Sequence, residues 1–192
     1  MFKIKKIYNN IITFNFPFFK RYLPEIYYFL KLKILIKEIK LNKINLIFDY
    51  DDKNINQIAI ESKGYLLDNT ICVPVYKYVW TRDGVYYGYD RSYKLSSEKI
   101  LYIMAHEYGH FIFRQNNPEY KYKYPKIVDS NTRKTKEYME IQLYEEREAW
   151  RYAEKYLWQI KVLDNNTNQE YFLCVMNKSI NGYKFDKSEK DF

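Results

Sequence analysis

The run Lys99-Ile-Leu-Tyr-Ile-Met-Ala-His106-Glu107-Tyr108-Gly109-His110-Phe-Ile-Phe113 carries the pattern H-E-x-x-H in a strongly apolar, helix-forming context. On a helix, residues four apart share a face, so His106 and His110 can aim their imidazoles at one point. Glu107 lies about 100° round the helix from His106, within reach of a water at that point without being a ligand. Two His ligands and a Glu general base are the division of labour this pattern serves around zinc. H-E-x-x-H also recurs by chance, and two features speak against chance here. Ile100, Leu101, Ile103, Met104, Ala105, Phe111, Ile112 and Phe113 surround the motif, and burying two His and a Glu among them is costly unless something satisfies them. His106 and His110 are also the only two histidines in 192 residues.

A catalytic zinc keeps three protein ligands and one open position. With both histidines used, the third ligand must be a carboxylate or a cysteine. Met139, Leu143, Glu146, Trp150, Ala153, Leu157 and Ile160 recur at alternating spacings of four and three, which puts them within about 60° of one direction on a helix. Glu146 is the charged residue on that stripe, and a carboxylate on an apolar face needs a metal or an ionic partner. Glu145 and Glu148 fall about 100° and 160° away, so they are expected to face solvent. Cys72 is the alternative ligand; otherwise it reads as a small buried hydrophobe, as does Cys174.

The flanking sequence predicts an α+β domain. A basic amphipathic helix is expected from Pro24 to about Lys40, and a strand from Ile44 to Tyr50. Thr70 to Trp80 is rich in strand formers, with Pro74 restricting it to an edge or a strand start. Lys63-Gly64 reads as a turn. Asp83-Gly84 signals a hairpin, with Val85 to Tyr89 as the return strand. Ser96 is a plausible N-cap with Glu98 in the first turn, so the motif helix should span about Ser97 to Phe113. Gln115 to Pro118 ends it, and a polar loop follows over 119–131. A long helix is expected from about Lys134 to Ile160. Thr167 with Glu170 resembles a capping box for a last helix reaching about Asn177. Asn181-Gly182 then reads as a turn before a frayed tail. The organisation so read is a basic extension over 1–43, a domain over 44–180 and a tail over 181–192.

The formal net charge of +8 is unevenly placed. Residues 1–43 hold ten Lys or Arg against Glu25 and Glu38, and the rest of the chain is balanced. Such a segment suits nucleic acid, an anionic membrane or an acidic partner as well as plain solvent. Two cysteines do not make a disulfide framework. The N-terminus is a poor signal peptide, and no run is long enough for a membrane span. A soluble cytoplasmic protein is the expectation.

Ala105-His-Glu-Tyr-Gly-His110, followed by Glu146-Arg-Glu-Ala-Trp-Arg-Tyr-Ala153 and Leu157, resembles the ImmA/IrrE-type metallopeptidases, which are gluzincins. Their pattern pairs A-H-E-h-G-H with a downstream E-x-x-A-x-x-aromatic-A helix, and the resemblance covers about residues 44–160. Trp150 stands where the family often has Asn or Asp, and no helix-turn-helix precedes the domain. The resemblance implies a zincin-like fold, with a small mixed or antiparallel sheet and the motif helix packed on the long C-terminal helix. It implies one Zn²⁺ on His106, His110 and Glu146, with Glu107 as general base, in a metallopeptidase cleaving a protein or peptide substrate. A Tyr or Arg would stabilise the oxyanion, and an edge strand of the hairpin would take the substrate by strand addition. The alternatives are a catalytically silent binding module on the same fold, with nucleic acid reached through residues 1–43, or another zinc hydrolase of deformylase or amidase type.

Overall fold

The computed structural model describes residues 17–49, 70–80, 86–120 and 136–185. They form α1 (Pro17–Leu41), β1 (Asn45–Asp49), β2 (Thr70–Pro74), β3 (Tyr76–Trp80), β4 (Tyr86–Lys94), α2 (Ser97–Asn116), α3 (Lys136–Gln159) and α4 (Asn166–Phe185). The architecture is α+β. The expected turn at Lys63-Gly64, the Asp83-Gly84 hairpin turn, most of the 119–131 loop and the tail beyond 185 lie outside the described residues.

The expected strand over Thr70 to Trp80 is two strands in two separate sheets. β2 pairs in parallel with β1, from Asn45 opposite Thr70 to Asp49 opposite Pro74. β3 pairs antiparallel with β4, with irregular register at both ends of β3. Pro74 has no N–H to extend a ladder, so the chain bends at Val75 and changes partner. The Val75 carbonyl accepts from Leu95 N at 2.8 Å, which closes the hairpin just ahead of α2.

α2 is the central helix. Its N-terminus is capped by Ser96, whose side chain accepts from Lys99 N, with Glu98 in the first turn. Glu25 of α1 adds a second cap, accepting from Ser97 N at 2.9 Å, where a carboxylate favours the positive end of the helix dipole. α1, β2 and α3 all pack on α2. Their shared core includes Leu35, Ile39, Ile71, Val73, Leu101, Met104, Ala105, Trp150, Ala153 and Leu157.

α1 begins at Pro17, seven residues before the expected start, with Pro24 inside it. A proline suits the first turn, where its missing N–H costs nothing. Leu35 and Ile39 are fully buried, so α1 packs into the core. Both α1 and α3 end in the same way. Lys43 and Lys161 take left-handed backbone conformations. Ile44 N then bonds to Ile39 O, and Val162 N to Leu157 O, across each helix end, as in a Schellman cap. At the second cap, the Tyr27 hydroxyl and Lys31 ammonium of α1 donate to the carbonyls of Lys161 and Ile160, where a cation meets the negative end of the α3 dipole.

α4 starts two residues ahead of the expected capping box, because Asn165 accepts from Asn168 N at 2.8 Å. It then runs through Asn181-Gly182 to Phe185, where a turn and tail were expected.

α2 approaches α3 closely at Gly109. A methyl group built on Gly109 would lie 2.1 Å from the Ala149 carbonyl oxygen and 2.9 Å from its carbonyl carbon. The obstacle is backbone, which cannot swing aside as a flexible side chain would. Gly109→Ala is therefore expected to destabilise the fold by about 3 kcal/mol or more through overpacking, read as a lower midpoint in urea unfolding. An unchanged midpoint would show that the helices separate at no cost.

Candidate metal centre

Two helices supply the centre. His106 and His110 project from α2, and Glu146 projects from α3, one helical turn from the Gly109–Ala149 approach. His106 Nε2 lies 3.0 Å from Glu146 Oε1, and His110 Nε2 lies 3.2 Å from Glu146 Oε2. The donor atoms of these three residues all fall within 4.8 Å of one another. Tetrahedral zinc with bonds near 2.0–2.1 Å has ligand atoms about 3.3 Å apart, so the spacing suits such an ion. Among the described residues this is the group able to hold a metal, and no cysteine belongs to it. Cys72 sits in β2, half-buried, and Cys174 is exposed on α4.

The fit has a sharper test. His106 Nε2 is buried and makes no hydrogen bond, although Glu146 Oε1 is at hydrogen-bonding distance. That carboxylate makes an ionic contact with the imidazole and holds its charged form. A buried polar atom without a hydrogen bond is costly. A cation among the three residues would satisfy it.

The electrostatics run the same way. Burial and the nearby His110 ring favour neutral His106, but the Glu107 and Glu146 carboxylates outweigh them and raise its pKa. Burial also opposes charge on His110, yet Glu145 and Glu146 push it up to about 10. Burial acts against the charged form of Glu146, and the two histidines nonetheless hold it well below the ordinary carboxylate range. The field that retains protons on these imidazoles equally favours a metal cation in their place.

Glu107 lies beside the His106, His110 and Glu146 cluster and outside it. Its carboxylate is 3.6 Å from His106 Nδ1 and its side chain is 35% exposed, whereas Glu146 is 3% exposed. Burial works to raise its pKa, but His106 overcomes this and lowers it, so Glu107 is ionised at neutral pH.

The surrounding shell holds what the sequence did not reveal. Glu145, expected to face solvent, is 3% exposed. It accepts from Arg114 Nε at 2.7 Å and lies 3.0 Å from His110 Nδ1. A proton on Nδ1, assigned from this contact, leaves Nε2 of His110 as the ligand atom. The reason lies in the packing of α3. Its buried arc runs from Glu145 through Ala149 to Trp150, about 140° on helical geometry, because the line through Ala149 meets Gly109. The stripe read from apolar residues was narrower and turned towards Leu143. Arg114, four residues after His110, was the available signal. Glu148, also expected to face solvent, is only 18% exposed and pairs with Arg151 at 2.7 Å.

Trp150 and Ser179 complete the shell. The indole stacks on His106 with ring centroids 4.3 Å apart and donates to Glu146 Oε1 at 3.3 Å. The Ser179 hydroxyl, brought in by α4, donates to the same oxygen at 2.7 Å. A carboxylate fixed by two donors from two helices is oriented before any metal arrives.

No family model, curated protein or solved structure matches this chain. The case for the centre is its own geometry.

Purified protein is expected to carry one zinc after gentle dialysis, and Glu146→Ala to lose it, by elemental analysis. Cys72→Ala should keep it. Metal absent from the wild type even after zinc is added would refute the centre. Glu145→Gln is expected to keep the metal but weaken it by about 10–100-fold, the usual effect of removing a ligand's orienting partner, as measured by competition with a chelator.

Proposed function

We propose that this protein is a zinc metallopeptidase of gluzincin type, with a zincin-like fold and a site resembling that of the ImmA/IrrE family. The observation that supports this most directly is the convergence of His106, His110 and Glu146, whose ligand atoms lie within 4.8 Å of one another, with the ionised, partly exposed Glu107 beside them. Two imidazoles and one carboxylate with an open position suit Zn²⁺. When bound, such an ion supplies Lewis acidity towards a carbonyl and a water.

The chain's own residues do the remaining work. Glu107 accepts a proton from the attacking water, whose oxygen bonds to the peptide carbonyl carbon. It then gives that proton to the amine nitrogen as the carbon–nitrogen bond breaks. His106, His110 and Glu146 hold their positions through Trp150, Ser179, Glu145 and Arg114, so reorganisation during the reaction is small. The β3–β4 hairpin leads directly into α2, and its strands offer backbone for an extended peptide to pair with.

Glu107→Gln separates chemistry from metal binding. Zinc content should equal that of the wild type, while cleavage of a peptide library, followed by mass spectrometry, should fall by about 10²–10⁴-fold, the usual worth of a general base. Undiminished cleavage would remove Glu107 from the mechanism. A zinc-loaded wild type that cleaves nothing would favour a binding module on the same fold.

A further inference from the structure

The solvent side of α1 does not look like an ordinary wet helix face. Ile26, Phe29, Leu30 and Ile34 are 45–50% exposed, and Leu41 is 67% exposed. At about 100° per residue these five share one arc of roughly 140° with Lys33, Lys37 and Lys40, all three of which are exposed. The buried side, with Tyr28, Leu32, Leu35 and Ile39, lies opposite. Glu25 and Glu38 fall outside the arc and are engaged elsewhere, Glu25 at Ser97 N and Glu38 at the Asn42 side chain. The exposed arc therefore mixes large apolar groups with lysines and contains no acid. The Lys33 ammonium lies 4.7 Å from the centroid of the Phe29 ring, so its stem runs along that apolar surface.

Five large apolar side chains in water on one face are unfavourable unless something covers them, and the lysines specify the charge of what does. Nucleic acid would meet the lysines but leave Ile26, Leu30 and Ile34 against phosphate or water. A bilayer surface offers anionic headgroups and acyl carbon at adjoining depths, which matches lysines set among aliphatic groups. None of the helices described is long and apolar enough to cross a membrane, so the geometry is that of lying on one. We propose that α1 docks this protein on an anionic lipid surface. Phe29, Leu30 and Ile34 enter the boundary between headgroups and acyl chains, and Lys33, Lys37 and Lys40 reach the lipid phosphates. The site is independent of the metal centre.

Co-sedimentation of the full chain with lipid vesicles tests this. The chain should bind vesicles containing about one-third phosphatidylserine, should ignore pure phosphatidylcholine, and should detach as salt rises. Lys33→Glu/Lys37→Glu/Lys40→Glu should weaken binding by about fiftyfold or more. Phe29→Ser/Ile34→Ser should weaken it by about tenfold or more. Circular dichroism should show wild-type helix content for both variants, because the altered side chains are exposed. Failure of the wild type to sediment with anionic vesicles would overturn the proposal. So would full binding by Phe29→Ser/Ile34→Ser, which would reduce the effect to charge adsorption, or a preference for duplex DNA over these vesicles in direct competition.

Discussion

The approach of Gly109 to the Ala149 carbonyl is the constraint on which the rest of the structure depends. Two helices normally run 8–10 Å apart, separated by side chains. Here a missing Cβ lets backbone meet backbone, and the small residues Ala105, Ala149 and Ala153 lie buried nearby. Drawn this close, α2 and α3 bring their facing polar groups into direct contact. His106 and His110 on one helix must then be satisfied by Glu145 and Glu146 on the other, or by an ion held among them. The glycine and the centre are one design, for Gly109 directly precedes His110 in sequence.

Periodicity revealed part of this. The histidines at a spacing of four sit where a helix must put them, and Glu146 was conspicuous because a lone carboxylate on an apolar stripe requires a reason. Ser96 could be read as a cap because its chemistry is local. Glu145 could not, because its burial depends on which line of α3 meets α2, and that is set by Gly109 across the interface. Ser179 was hidden for a similar cause, since nothing within α4 reports that its serine will reach Glu146. The division of Thr70 to Trp80 between two sheets has its origin in Pro74, yet the partner strands are chosen by tertiary packing. The end of α4 was misread because Asn181-Gly182 has turn chemistry that a packed helix can override.

The shell round Glu146 also shows how three helices come to serve one carboxylate. Trp150 and Ser179 both donate to Oε1, while His106 and His110 approach the two oxygens from α2. A carboxylate with this many neighbours has little rotational freedom, so entropy is spent in folding and not at the moment of binding. Trp150 has a second part, since its stacked indole prevents the His106 ring from turning.

The contacts of Tyr27 and Lys31 with the end of α3 join positions 134 and 129 residues apart in the chain. They close about two thirds of the polypeptide into one loop, whose closure carries an entropic cost. α1 and the end of α3 are therefore mutual supports. Ser179 reaches Glu146 from α4, beyond that loop, so the candidate centre draws on far more of the chain than the two motifs that announce it.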